Sequence, residues 1–233
     1  MAHLMNNKDL EFLLYQVFDA QQLTSLSQYQ DHDRTTFDEL LRTSERIAAT
    51  YFEPHNAKAD ANEPQFNGKE VSTIPEVKDA WQHFANSGLL SARHRYDDGG
   101  MQLPALINTA ANAYFMSANP STAGYPFLTS AAANVIHAFG SDEQKATFVP
   151  PMFSGRFAGT MALTEPDVGS SLGDLTTKAI PADDGSFRIK GQKMYISGGD
   201  QDMSEKIHHL VLARTSDDGV KGLSLFLCPC TYS

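Results

Sequence analysis

The spacing of apolar residues changes once along the chain, close to Ser154. Before this residue, apolar side chains recur every three or four positions, which places them on one face of an α-helix. After it they tend to alternate, which is the period of a β-strand. A helical part followed by a strand-rich part predicts the α+β class. We therefore expect an all-α helical domain over residues 1–154 and an antiparallel β-barrel or sandwich domain over residues 155–233.

The first two helices are predicted from apolar spacing and one capping motif. Apolar residues at positions 10, 13, 14, 17 and 18 mark an amphipathic opening helix. Thr36 and Glu39 form a Thr-x-x-Glu capping box at the start of a second helix, and Pro54 ends its apolar pattern. The polar residues 56–72 that follow are expected to form a loop.

Four more helices complete this part of the chain. Pro75 lies in the first turn of the third helix, and Gly88 lies just beyond its end. Apolar residues over positions 106–115 and 128–139 predict the fourth and fifth helices. Ser141 and Gln144 form another capping box, which opens a short sixth helix that ends near Pro150.

The second part reads as six strands joined by turns. The strands are predicted over residues 157–163, 175–181, 187–190, 193–197, 207–214 and 222–228. The Asp-Asp-Gly sequences at 183–185 and 217–219 are typical of hairpin turns.

Composition limits the classes of function. The chain has 233 residues, of which 18 are basic and 28 acidic, so its formal charge is −10. An acidic surface without a basic patch repels nucleic acid and anionic membranes, so neither is expected as a partner. No stretch reaches the roughly 20 apolar residues of a membrane helix, and the N-terminus has no signal-peptide core. A cytoplasmic protein is expected.

Cysteines and histidines do not predict a metal site. Cys228 and Cys230 could supply two of the four ligands of a structural zinc, and two reduced thiols are the expected state. His208 and His209 are adjacent on a strand, so their side chains should point to opposite faces. Asp97 and Asp98 lie in a predicted turn that lacks the further acidic positions of a calcium loop.

Two short runs carry the functional signal. The first, Met-Ala-Leu-Thr-Glu-Pro-Asp-Val-Gly-Ser at 161–170, ends a strand in a loop whose N–H groups could face an anion. The second, Gly-Gln-Lys-Met-Tyr-Ile-Ser at 191–197, is followed by two glycines, where a flat ring could approach the backbone. Together the two runs predict a flavin site.

Both runs, in this order, resemble the acyl-CoA dehydrogenase family, whose middle domain binds FAD through a Thr-Glu-Pro-x-x-Gly-Ser loop and a Trp-Ile-Thr/Ser strand. Residues 140–145 and 150–155 also resemble the family, and the region 171–227 is most similar to its long branch, which contains methylmercaptopropionyl-CoA dehydrogenase. The resemblance implies an N-terminal helical domain and an incomplete middle domain. The family adds a C-terminal helical domain that this sequence does not contain.

The resemblance also implies a set of cofactor-binding residues. They are Met161, Leu163, Thr164, Gly169, Ser170, Tyr195 and Ser197. Leu163 and Thr164 would meet the pyrimidine side of the flavin, and Gly169 and Ser170 would contact phosphate. Ser170 would also lie near the acyl-CoA, and Met161 would line the pocket.

Two residues depart from the family pattern. Tyr195 stands where the family usually has Trp, so the aromatic wall beside the ring keeps a smaller face. Ser197 stands where many members have Thr, and it keeps the hydroxyl that would donate to flavin N5.

The reaction implied by the family is α,β-dehydrogenation of an acyl-CoA thioester, with hydride transfer to FAD. The catalytic base of most members is a Glu in the C-terminal helical domain, so no catalytic base is assigned here and this fragment is expected to be inactive alone. Glu165 could substitute, but a Glu in a Thr-Glu-Pro turn is expected to fix the loop.

Expected partners are acyl-CoA, electron-transfer flavoprotein or a similar acceptor, and further copies of the full-length chain in a homo-oligomer. A non-catalytic acyl-CoA or protein-binding relic and an acyl-CoA oxidase-like enzyme are the alternatives.

Overall fold

A computed structural model describes residues 4–229, so Cys230 lies outside the described part of the chain. Its α-helices are α1 Asn7–Phe12, α2 Arg34–Ile47, α3 Asn56–Ala61, α4 Pro75–Asn86, α5 Ala105–Ala118, α6 Pro120–Phe139 and α7 Asp142–Phe153. Its strands are β1 Gln65–Phe66, β2 Val71–Ser72, β3 Phe157–Ala162, β4 Lys178–Pro181, β5 Phe187–Lys190, β6 Lys206–Arg214 and β7 Leu223–Pro229. Among these residues no helix is long and apolar enough to cross a membrane.

Helix α2 begins earlier than the capping motif predicts. Asp33 is its N-cap: the carboxylate of Asp33 accepts from the N–H of Thr36 at 2.7 Å, and the Thr36 hydroxyl accepts from the N–H of Asp33 at 2.9 Å. The predicted box of Thr36 and Glu39 is therefore wrong by one turn. Asp and Thr form the reciprocal pair because both side chains are short enough to reach the first free N–H groups of the helix.

The N-terminal part contains more structure than the sequence predicts. The opening helix is confirmed, although its second half, Leu13–Val17, is a π-helical turn. Residues 56–72 are not one loop, since they form α3 and the β1–β2 hairpin. Helix α6 begins at Pro120, where Asn119 accepts from the N–H of Thr122 at 3.0 Å. The predicted fifth helix was too short because few large apolar residues mark its first turns.

Aromatic rings form the centre of the helical part. Phe115 is fully buried, and its ring lies edge-on to the rings of Phe52 and Phe84, with centroid distances of 5.0 Å and 4.8 Å. Edge-to-face pairs of this kind add to the free energy of burial. The core thus depends on the apolar faces of the π-helical turn Ala48–Phe52 and of the helices α4 and α5.

The five-stranded sheet is mixed, which corrects the predicted antiparallel barrel or sandwich. Strand β6 is central: β3 and β4 pair with it in parallel, whereas β7 pairs with it antiparallel, and β5 pairs antiparallel with β4. Long connections allow parallel pairing, and more than forty residues separate β3 from β6. Alternation in sequence indicates a strand but not the direction of its partner.

One face of the sheet packs on the helices. Gly159 of β3 lies so close to α6 that a Cβ there would be 2.5 Å from the Cβ of Ala132. Trp81 of α4 is buried, as predicted, and its indole N–H donates to the carbonyl of Gly155 at 3.0 Å. Helices α4, α6 and α7 therefore hold β3 in place, and β3 leads directly into the loop that carries the first functional run.

Candidate functional site

The two functional runs meet at a backbone hydrogen bond and at one lysine. The N–H of Met194 donates to the carbonyl of Thr164 at 2.9 Å. The amine of Lys193 donates to the carbonyl of Leu163 at 2.9 Å and to the carboxylate of Glu165 at 3.0 Å. The middle of the second run therefore lies against the Thr164 end of the first.

The second run has no regular secondary structure and ends in a turn at Ser197 and Gly198, so the strand predicted over residues 193–197 is wrong. Tyr195 has a φ of 58° and Gly198 a φ of 61°, which takes the chain out of the extended conformation. A Cβ on Gly198 would lie 3.2 Å from the ring of Tyr125, so this turn rests on α6. The side chain of Tyr195 is 85% exposed, and Ser197 is exposed as well.

Glu165 is a polar hub of the first run, meaning that its single carboxylate binds several separate donors. Its carboxylate accepts from the N–H of Thr176 at 2.8 Å, from the Thr176 hydroxyl at 2.7 Å and from the N–H of Thr177 at 2.9 Å. The fourth donor is Lys193, and Glu165 is only 4% exposed. These contacts confirm that Glu165 fixes the loop.

The protonation of Glu165 argues against a role as base. Burial alone would raise the pKa of Glu165, but the hydrogen bonds from Thr176 and Thr177 outweigh burial and hold the pKa below its usual value. A carboxylate with a lowered pKa and four donors is a weak proton acceptor. No catalytic role is therefore assigned to it.

The loop over residues 163–177 interrupts one edge of the sheet. Ala162, at the end of β3, is in register with Val211 of β6, and Lys178, at the start of β4, is in register with Arg214. Leu223 of β7 occupies the other edge of β6 at Arg214, so β3 and β4 share one edge. The end of β3 and the start of β4 therefore lie opposite two β6 residues that are three positions apart, a distance of about 10 Å along the strand. The loop leaves the sheet and returns to it within this gap.

Arg214 holds the far end of this loop. Its guanidinium donates to the carbonyls of Leu175 at 2.9 Å and Gly173 at 2.6 Å on one side, and of Ser216 at 3.0 Å and Gly219 at 2.9 Å on the other. A planar guanidinium with several donors suits such a cluster of carbonyls. Arg214 thereby ties the loop to the turn between β6 and β7.

The predicted residues differ in exposure. Met161 is 40% exposed, Leu163 and Thr164 are half-buried, and Gly169 and Ser170 are exposed. Leu163 and Thr164 are brought to the second run by the contacts of Lys193 and Met194. The role of each of the seven residues toward a flavin stays a prediction.

The exposed part of the loop has the chemistry that a pyrophosphate needs. Within residues 4–229, the N–H groups of Gly169 and Ser170 donate to no acceptor. A Cβ on Gly169 would have no neighbour within 4 Å, so the backbone there is open to a ligand. Free N–H groups beside a serine hydroxyl form an anion-binding surface. These residues therefore fit the phosphate end of FAD.

Sequence models of one family match both parts of the chain. The N-terminal domain of acyl-CoA dehydrogenase matches residues 35–156, and the middle domain of acyl-CoA dehydrogenase matches residues 160–232. The chain belongs to the acyl-CoA dehydrogenase family. The resemblance inferred from the two runs is confirmed.

Individual relatives support the same assignment. The chain is 36% identical to 3-methylmercaptopropionyl-CoA dehydrogenase of Ruegeria pomeroyi, over 95% of this chain and 38% of that protein. It is 34% identical to a butyryl-CoA dehydrogenase of Syntrophomonas wolfei, over 98% of this chain and 39% of that protein. The expected similarity to the long branch is confirmed by the first comparison. The chain spans about two-fifths of the length of these curated relatives.

A solved structure shares the fold. The structure described as PigA with FAD and proline superposes with a TM-score of 0.68 at 19% identity, over 85% of this chain and 49% of that chain. The helical part and the mixed sheet are thus arranged as in that structure.

Sequence reasoning assigned no role to Lys193, Thr176, Thr177 and Arg214. Lys193 lies inside the second run, and its charge is opposite to that of Glu165 in the first, which is a signal that could have been used. Arg214 ends an apolar strand, where a buried basic residue also needs partners. The two threonines contribute mainly through the backbone, for which the sequence has no signal.

The adjacent histidines His208 and His209 point to opposite faces of the sheet, as their spacing predicts. His208 packs against Phe148 and Phe157, whereas the ring of His209 lies 2.6 Å from the Thr160 hydroxyl, so the two point to opposite faces. Cys228 is a free, half-buried thiol. Within residues 4–229 no group of three His, Cys, Asp or Glu side chains is placed to hold a metal.

Proposed function

We propose that this chain carries the flavin-facing loops of an FAD-dependent acyl-CoA dehydrogenase that forms an α,β-double bond in an acyl-CoA thioester. The observation that carries the proposal is the junction of Thr164 with Met194, reinforced by Lys193. One ring could touch both runs only if they lie side by side. The family membership and the names of the relatives support the same reaction.

Each predicted residue has a binding or positioning role in this proposal. Leu163 and Thr164 would hold the pyrimidine edge, and the free N–H groups of Gly169 and Ser170 would bind the pyrophosphate. The Ser197 hydroxyl would donate to flavin N5. When bound, FAD supplies the acceptor for the hydride that leaves the β-carbon of the thioester.

Two exposed side chains would shield the reacting atoms. Met161 and Tyr195 are exposed although both carry large apolar surfaces. We propose that they cover the ring and keep water away from it, which strengthens polar interactions in the site. Ser170 would also contact the acyl-CoA.

The proposal extends to organisation and partners. We place a domain boundary near Ser154, because α7 ends at Phe153 and β3 begins at Phe157. Acyl-CoA is the proposed substrate, and electron-transfer flavoprotein or a similar acceptor would reoxidise the flavin. A homo-oligomer of the full-length protein and a cytoplasmic location stay predictions.

The test is reduction of the purified full-length protein by acyl-CoA in the absence of oxygen. We expect bound flavin to lose its visible absorption on addition of acyl-CoA. Ser170→Asp places a negative charge beside the proposed phosphate site and should abolish FAD binding. Ser224→Asp, an exposed change on β7, is the matched control and should leave FAD bound.

Other outcomes identify the alternatives. A folded protein that binds acyl-CoA but never FAD would be a non-catalytic binding relic. Formation of hydrogen peroxide during turnover in air would indicate an acyl-CoA oxidase-like enzyme.

A further inference from the structure

Lys193 connects the two functional runs through groups on both sides of Thr164. Its amine donates to the carbonyl of Leu163 and to the carboxylate of Glu165, and the Lys193 side chain is only 11% exposed. An ammonium with so little exposure needs partners of this kind, since the loss of its hydration is otherwise unfavourable. The amine is therefore held in one place.

The acidic partner of Lys193 is fixed independently. Glu165 accepts three hydrogen bonds from Thr176 and Thr177, which stand next to the start of β4. The ion pair thus links the second run to the sheet through the Glu165 carboxylate. Charge-assisted hydrogen bonds of this type are short and directional.

The carbonyls of Leu163 and Thr164 both accept hydrogen bonds from the second run. Lys193 takes the carbonyl of Leu163, and the N–H of Met194 takes the carbonyl of Thr164. Within the described chain the N–H and the hydroxyl of Thr164 take part in no hydrogen bond. The peptide planes are turned so that only these two groups of Thr164 are free for a ligand.

We propose that Lys193 is a positioning residue: it sets the peptide plane before Thr164 so that the Thr164 N–H and hydroxyl face the pyrimidine edge of the flavin. This inference rests on the proposed flavin function. Arg214, Thr176 and Thr177 hold the loop elsewhere, whereas Lys193 alone among the side chains described donates a hydrogen bond to the Leu163 carbonyl. A point donor on a flexible stem can reach a carbonyl and a carboxylate together.

The experiment compares variants of the full-length protein freed of flavin and titrated with FAD. Lys193→Met keeps the apolar stem and removes the amine, and we expect the dissociation constant for FAD to rise about ten- to a hundredfold. Lys193→Arg restores the charge and should recover most of this loss. Lys190→Met, an exposed change on β5 with no ion pair in the described chain, is the control and should change the constant less than about twofold.

A spectroscopic readout separates positioning from general stability. The visible spectrum of residual bound flavin should shift in Lys193→Met, because its pyrimidine edge meets a rearranged Thr164, and it should return in Lys193→Arg. A stabilising role alone would lower the melting temperature of the apoprotein without changing the FAD spectrum, and this result would overturn the inference.

Failure of the inference and failure of the proposed function look different. If the wild-type protein binds FAD and a folded Lys193→Met binds it equally well with an unchanged spectrum, only the role of Lys193 is wrong. If the folded wild-type protein binds no FAD, both are wrong. Should Lys193→Met fail to fold, the neutral pair Lys193→Gln with Glu165→Gln retains a donor for the Leu163 carbonyl. Near-wild-type FAD affinity in this double variant would support the inference, whereas a loss of affinity as large as that expected for Lys193→Met would contradict it.

Discussion

The helical core and the loop over residues 163–177 keep their shapes by different means. The centre of the core is aromatic: Phe52, Phe84 and Phe115 pack edge-to-face, and their positions follow the periodicity of their helices. The loop is polar, and two charged residues, Glu165 and Arg214, hold its irregular backbone through hydrogen bonds. Apolar packing depends on volume and burial, whereas the loop depends on direction and on distant partners.

This difference explains how one chain can be stable and still expose free backbone N–H groups. A loop packed by apolar side chains would bury its own N–H groups, while a loop held at a few polar hubs leaves others, such as those of Gly169 and Ser170, free. Changes in the core should therefore lower global stability, and changes at the hubs should alter ligand binding more than stability.

The largest effect on stability is expected from Phe115→Ala. Loss of a fully buried ring and the cavity that remains should lower the free energy of unfolding by about 3–5 kcal/mol. Urea denaturation measures this change. Phe115→Leu, which retains more volume, should cost clearly less, and folded Phe115→Ala protein should still bind FAD nearly as tightly as wild type. A large loss of FAD affinity there would break the distinction between core and loop.

Glu165→Ala should have the next largest effect. It leaves the Lys193 amine and the N–H groups of Thr176 and Thr177 without their acceptor, at a cost of about 2–4 kcal/mol. The same denaturation experiment measures the cost, and FAD titration should show a larger relative loss than in Phe115→Ala. Similar FAD affinity in the two variants would argue against a polar hub.

The effect of Glu165→Ala should also depend on pH. The folded-state pKa of Glu165 is below its usual value of 4.5, so below that value the unfolded chain binds the proton more readily than the folded protein. The stabilisation by the carboxylate is therefore present above about pH 4.5 and is lost as the pH falls through the folded pKa. The stability difference between wild type and Glu165→Ala should shrink over that range. Buried His208 is common to both proteins and cancels in the comparison.

Ser197→Ala tests the exposed part of the site. Loss of a hydroxyl that donates to flavin N5 should slow flavin reduction by acyl-CoA by the equivalent of about 1.5–3 kcal/mol, with little change in substrate binding or stability. Rapid mixing of the full-length protein with acyl-CoA measures the rate. Ser224→Ala, an exposed serine on β7, is the control, and equal small effects of the two substitutions would remove Ser197 from the site.

The smallest effect is expected at the start of α2. Asp33→Ala removes the N-cap and should lower stability by about 1 kcal/mol. Glu39→Ala should be close to neutral, because Glu39 takes no part in the cap observed. If Glu39→Ala lowered the thermal unfolding temperature more than Asp33→Ala, the capping box of Thr36 and Glu39 expected from the sequence would be correct.

Local signals predicted much of the fold. Pro75, Gly88 and the Ser141 and Gln144 capping box correctly marked the helices α4 and α7, and the turn at 183–185 correctly joined β4 to β5. Predictions failed where two local signals competed or were weak. The capping box predicted from Thr36 and Glu39 lies one turn too late, because Asp33 and Thr36 form the reciprocal pair. The strand predicted over residues 193–197 is prevented by the left-handed backbone of Tyr195.

The sequence by itself determined the α+β class, the family and the two runs that carry the proposed function, because these depend on periodicity and on residues close together in the chain. Only the tertiary structure decided the mixed strand directions, the turn at Tyr195 and the contacts of Lys193, Glu165 and Arg214. Lys193 and Glu165 are 28 residues apart in sequence. Arg214 and Gly173, whose carbonyl accepts from the Arg214 guanidinium, are 41 residues apart. Hydrogen bonds across such separations follow from how the sheet brings loop ends together, which no local pattern of side chains encodes.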